Sequence, residues 1–100
     1  MIPIRKTVRI SNRMSFRIPL PWREELNLTQ GRFVKIRIQN NSILINVFNQ
    51  YTTEITSTIG EGGQIYIPTE VRNYFILQEI ERFKVFIDKT NKYIILKPFE

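Results

Sequence analysis

Arg9, Arg13 and Arg17 recur every four residues near the start of the chain, with no acidic residue between them. A guanidinium is a planar fork of N–H donors that fits a phosphate or the O6/N7 edge of guanine, so the chemistry these side chains can do is recognition of nucleic acid. The same spacing on a solvated strand would be ordinary, and spacing alone does not separate phosphate contact from base reading. The chain has no Cys and no His, and Asp88 is its one aspartate. Thiol nucleophiles, Cys/His zinc sites and imidazole acid–base chemistry are therefore absent together. The glutamates form no spaced pair with an acid–base partner. Neither a catalytic residue nor a metal site or cofactor is expected, and the chain reads as not an enzyme. Gly60-Glu61-Gly62-Gly63 lacks the Lys-Ser/Thr and the long helix of a phosphate-binding loop, so it reads as a hairpin turn.

The distribution of charge supports a polyanion face. The net charge is +6. Residues 1–50 carry nine Lys/Arg and two Glu, whereas residues 51–100 carry six Lys/Arg and seven Asp/Glu. A basic half joined to a near-neutral half favours one face made for DNA over a uniformly soluble surface. One hundred residues, 42% of them hydrophobic, suit a single domain spanning 1–100 with a real core. No apolar run approaches a membrane span, and the N-terminus does not read as a secretory signal. The expectation is a cytoplasmic protein, nucleoid-associated, or in the host cytoplasm if viral, with no membrane partner.

An internal repeat organises the chain. Ile18-Pro19-Leu20-Pro21-Trp22-Arg23 recurs 49 residues later as Ile67-Pro68-Thr69-Glu70-Val71-Arg72. Ile10 aligns with Ile59, Phe16 with Ile65 and Leu28 with Leu77; Val34, Ile36 and Ile38 align with Phe83, Val85 and Ile87. A one-residue insertion then sets Ile43-Leu44-Ile45 against Tyr93-Ile94-Ile95. Repeat one spans 5–48 and repeat two 54–98, joined around Asn49-Gln50-Tyr51-Thr52-Thr53.

Each copy reads β-β-α-β-β. Strands at 7–11 and 15–18 flank a turn at Asn12-Arg13. A proline then ends the second strand and opens a helix at 21–28 that points Trp22, Leu26 and Leu28 inward. Val71, Phe75 and Leu77 play these parts in the second copy. Gly31 suits the helix exit. Strict alternation buries Val34, Ile36 and Ile38, Asn40-Asn41 makes a hairpin, and residues 88–91 are its counterpart. Arg5 and Lys6 read as a frayed terminus, with a basic arm that reaches a phosphate as the alternative. Trp22, Phe33 and Phe48 read as mostly core, as does Phe16. One unit of this size buries too little surface to stand alone, so two copies packed into a mostly β barrel with two short helices and an approximate two-fold axis are expected.

Thr58-Ile59-Gly60-Glu61-Gly62-Gly63-Gln64-Ile65-Tyr66-Ile67-Pro68-Thr69-Glu70-Val71-Arg72, with the ending Ile-Ile-Leu-Lys-Pro at 94–98, resembles the signature of the AbrB/MazE/SpoVT family over nearly all of 55–98. The first copy keeps Ile18, Pro19 and Arg23 but has Pro21 in place of the family's Glu and Met14 in place of its Gly. The resemblance implies a swapped-hairpin (double-psi-like) β-barrel in which tandem copies supply both halves, as in proteins of the MraZ type. Neither copy has the Asp-x-x-x-Arg motif of MraZ, so that likeness concerns architecture alone. The resemblance further implies DNA contact through the first hairpins and beside the helices. Its basic positions fall on Arg9, Ser15 and Arg23 in copy one, and on Thr58, Gln64 and Arg72 in copy two. Arg13 and Arg17 add to copy one, where copy two has Gly62 and Tyr66. For Arg23 and Arg72, a helix-side salt bridge stands as an equal alternative to DNA contact.

The expected function is a transcriptional regulator that binds double-stranded DNA as a monomeric pseudo-dimer barrel, with association into a homodimer left open. The alternatives are an antitoxin, disfavoured because no segment follows the last strand to wrap a toxin, and a chromatin-like protein that coats DNA without sequence preference.

Overall fold

The computed structural model describes residues 1–11, 13–47 and 55–99. The expected turn residue Asn12, the aromatic Phe48 and the linker 49–53 lie outside the described residues. In chain order the elements are β1 (Ile2–Arg9), β2 (Ser15–Arg17), α1 (Leu20–Glu25), β3 (Phe33–Gln39), β4 (Ser42–Val47), β5 (Thr56–Thr58), β6 (Gln64–Tyr66), α2 (Thr69–Ile76), β7 (Arg82–Asp88) and β8 (Tyr93–Phe99). The fold is mostly β with two helices, and its radius of gyration is 12.5 Å. No helix among the described residues is long and apolar enough to cross a membrane.

Six strands form one antiparallel sheet in the order β1-β7-β8-β4-β3-β5, and β2 pairs with β6 in a separate two-stranded ribbon. Within a copy, β3 pairs with β4 and β7 with β8; every other pairing joins the two copies. The register obeys the repeat. Val8 lies opposite Phe83, and its equivalent Ser57 lies opposite Val34. Leu44 faces Ile95 at the middle of β4·β8, and Phe16 faces Ile65 at the middle of β2·β6. An approximate two-fold axis thus passes through both pairs, on opposite sides of the core.

The expected closed barrel is not formed. The edges of the large sheet, β1 and β5, do not pair with each other. β2 and β6 are three residues long, each is followed within two residues by a proline that cannot donate to a ladder, and they cap the core as a ribbon of their own.

Alternation puts Val34, Ile36, Ile43, Ile45, Phe83, Val85, Ile87, Ile94 and Leu96 into the interior, each at most 1% exposed. Phe16 and Ile65 seal it from the ribbon side, while Leu26, Val71 and Phe75 reach it from the helices. Phe75 stacks edge-on against Phe83 with ring centroids 5.0 Å apart. Trp22 is half-buried against this cluster. Phe16 belongs to the core as expected, but Phe33 is 55% exposed. It sits in the outward phase of β3, one residue before buried Val34.

Three further expectations are corrected. The β3–β4 hairpin turns through Asn40 and Asn41, both at positive φ, as a two-residue loop between Gln39 and Ser42. The β7–β8 hairpin turns through residues 89–92, between Asp88 and Tyr93. The insertion is therefore two residues, which keeps every side chain on its own face; one residue would have exchanged the faces. Ile43 corresponds to Ile94, and Tyr93 faces outward.

The helix exits also differ. α1 closes through Asn27 (φ 60), with the Leu28 amide donating to the Arg23 carbonyl, and Gly31 belongs to the later turn into β3. α2 closes through Glu79 (φ 59), with the Ile80 amide donating to the Phe75 carbonyl. This closure recurs at a spacing of 52 residues, against 49 for the rest of the repeat, so Ile80 takes the place of Leu28 and Leu77 is left 85% exposed. Finally, Arg5 and Lys6 are no frayed terminus. They lie within β1, which runs along β7 from Ile2 to Arg9 with a bulge marked by Arg5 at φ 52.

Candidate nucleic-acid interface

Because Phe16 and Ile65 turn inward, period-two alternation turns Ser15, Arg17, Gln64 and Tyr66 outward from the ribbon. Ser15 lies opposite Tyr66 and Arg17 opposite Gln64. The Gln64 Nε2 donates diagonally to the Ser15 Oγ at 3.1 Å, tying the two equivalent polar positions together across the ribbon. Tyr66 is 48% exposed.

The turn that leads into β6, Glu61–Gly63, is what allows arginines to lie beside this ribbon. Gly62 and Gly63 have φ of 68° and 78°, a region where a Cβ costs energy. A Cβ on Gly62 would stand 3.1 Å from a terminal nitrogen of Arg17, so that guanidinium lies over the turn. A Cβ on Gly63 would collide with the Arg23 side chain, reaching 2.7 Å from Nε. Arg23 Nε donates to the Ile18 carbonyl at 2.9 Å, which fixes the side chain across the glycine. Arg72, its counterpart, donates to the Ser11 carbonyl at 3.1 Å. Each arginine thus braces a backbone carbonyl that follows a first-hairpin strand, and Arg72 also donates to the Asn73 Oδ1 at 3.3 Å.

Arg13 is exposed and lines a depression of about 380 Å³ with Tyr66, Thr69 and Arg72. The structure therefore gathers Arg13, Ser15, Arg17, Arg23, Gln64 and Arg72 around one ribbon. It does not bring Arg9 with them. Arg9 is on β1 opposite Arg82, and borders another depression with Glu79 and Glu81. The four-residue spacing of Arg9, Arg13 and Arg17 spans a chain reversal and so does not describe one stripe.

Tyr66 and Thr69 were missed as members of this surface. The signal was present in the alternation, since Tyr66 shares the phase of Gln64, two residues before it. No group of three or more metal-ligating side chains occurs among the described residues. The chain matches no protein-family model, no curated protein and no solved structure.

Proposed function

We propose that the chain is a regulator that binds duplex DNA by laying the β2·β6 ribbon in the major groove. The observation that carries this reading is the ribbon itself: a sealed apolar underside, four outward polar or aromatic side chains, and Arg13, Arg23 and Arg72 at its margins. Neighbouring strands lie about 4.8 Å apart, so a two-stranded ribbon with side chains fits a major groove about 12 Å wide. In this reading Arg17 and Gln64, opposite each other at the ribbon's end, reach base edges. Arg13, Arg23 and Arg72 neutralise phosphates and hold the register. The resemblance to the AbrB/MazE/SpoVT family supports the same face, with the tandem copies standing in for the two chains of a swapped-hairpin dimer. Because the copies differ at every outward ribbon position, the two half-sites would be read differently.

The test is a salt titration of fluorescence anisotropy on a labelled promoter duplex against random competitor. Wild-type affinity should fall with a log–log slope of about −0.9 per phosphate contacted. Arg13→Ala with Arg17→Ala should weaken binding at least tenfold and flatten that slope, with an unchanged melting temperature. Gln64→Ala should change the ranking of duplexes more than the affinity, because a neutral amide adds nothing to counterion release. Equal affinity for every duplex would move the reading to DNA coating, and full retention of binding by the double arginine variant would remove the ribbon from the interface.

A further inference from the structure

The outer face of the six-stranded sheet lies at the other end of the two-fold axis from the ribbon, and its composition is unusual for a solvent-facing sheet. Arg9 faces Arg82 across β1·β7, and Lys84 faces Lys97 across β7·β8. Lys35 and Arg37 share this face from β3. Like charges directly opposite each other in an antiparallel pair are destabilising. Among the described strand residues the one carboxylate on this face is Asp88, at the end of β7, and it is occupied by hydrogen bonds from Asn91.

The two lysines resolve their repulsion by leaning apart onto rings. Lys97 Nζ sits 5.3 Å from the Phe86 centroid, and Lys84 Nζ sits 5.0 Å from the Phe99 centroid, where Arg82 also lies at 4.9 Å. Arg37 reaches Tyr93 in the same way, at 5.8 Å, and donates to its hydroxyl at 3.1 Å. The rings thus hold a row of cations flat on the sheet. Next to Lys97 is a depression of about 470 Å³ whose floor is Leu44 and Ile95 and whose rim carries the amides of Gln39, Asn40 and Asn41.

We propose that this sheet face binds single-stranded nucleic acid. Phosphates recruit Lys97 from Phe86 and both Lys84 and Arg82 from Phe99, which uncovers the ring faces for bases to stack on. A base on the Leu44–Ile95 floor meets amide groups able to bond its edge. A single strand uses both halves of the arrangement, whereas a duplex keeps its base faces stacked inside and can use the charges alone. A second copy of the chain is a poor occupant, because the same cations would face each other.

The experiment measures binding of a labelled 15-nucleotide oligothymidylate and of the promoter duplex to the full chain and three double variants. Lys84→Ala with Lys97→Ala should weaken oligothymidylate binding at least tenfold and change duplex affinity less than twofold. Phe86→Leu with Phe99→Leu should weaken it at least fivefold with an unchanged salt slope, which charge removal alone would not do. Arg13→Ala with Arg17→Ala should leave oligothymidylate binding intact, so a failure of the ribbon reading shows only in the duplex arm. Wild-type affinity in the lysine variant overturns the proposal. So does displacement of the oligothymidylate by inorganic polyphosphate as efficiently, per phosphate, as by unlabelled oligothymidylate.

Discussion

Two adjacent glycines make a sharp test of how the arginines beside the ribbon are positioned. Gly62 and Gly63 both have positive φ, 68° and 78°, so alanine at either position incurs left-handed backbone strain. That strain is about 1–2 kcal/mol, offset in part by the stiffer unfolded chain, and leaves roughly 1 kcal/mol. The neighbours differ. At Gly62 the new methyl meets the far end of Arg17, which is exposed and swings away. At Gly63 it meets the middle of Arg23, whose Nε is held by the Ile18 carbonyl. Displacing Arg23 breaks a charge-assisted hydrogen bond and unpacks its stem, adding about 2 kcal/mol. Gly62→Ala should therefore lower the melting temperature by about 5 °C and Gly63→Ala by about 15–20 °C, at the 4–8 °C per kcal/mol usual for a domain of this size. Circular dichroism melts of both variants, repeated with Arg23→Ala in the background, complete the cycle. With Arg23 truncated, Gly63→Ala should cost no more than Gly62→Ala. Equal melting temperatures for the two glycine variants with Arg23 present would refute the assignment of Arg23 to this turn.

Phe75→Ala should cost about 3–5 kcal/mol in urea denaturation, because a fully buried ring packed on Phe83 leaves a void that the surrounding sheet cannot close. Fragments covering 1–47 and 55–100 should each be unfolded alone by circular dichroism and should recover β structure on mixing, since a single copy retains just one strand pair; a folded, monomeric fragment would contradict the pairing. Asp88 has its carboxyl pKa lowered from 3.8, first by the Asn91 side-chain hydrogen bond and then by the Asn91 amide. A lowered folded pKa gives stability that is present above the unfolded value and lost as pH falls through the folded one. The melting temperature of the wild type should thus exceed that of Asp88→Ala by a constant margin at neutral pH, and the margin should vanish in strong acid.

Much of the element pattern was legible in the sequence because alternation and proline placement are local. The inward residues of β3 and β7 and the prolines that open both helices follow directly from them. Strand neighbours were not legible: alternation says which way Val8 points but is silent on whether it lies beside Val34 or Phe83. The hairpin insertion was misjudged by one residue because Tyr93 is as apolar as its neighbours, and the inward phase shows only once Asp88 is seen opposite it. Leu77 was misplaced because the second helix closes three residues later in its copy than the first, which hands the inward place of Leu28 to Ile80. For the candidate interface, Arg13, Arg17 and Gln64 follow from pattern and resemblance. The separation of Arg9 does not, because its neighbours Arg82, Glu79 and Glu81 come from the other copy.

The pairing of Ile2 with Ile87 sets a condition on biosynthesis. Translation proceeds at about 5–20 residues per second, so β1 leaves the ribosome roughly ten seconds before β7 can receive it. During that interval the nascent chain can build the β3–β4 hairpin, add β5 to β3 and pair β2 with β6, but β1 has nowhere to dock. High contact order then makes final closure slow relative to a helical protein of equal length. An open strand edge beside exposed isoleucines is the form most prone to pair with another nascent chain, so high expression at elevated temperature should favour intertwined oligomers over monomers.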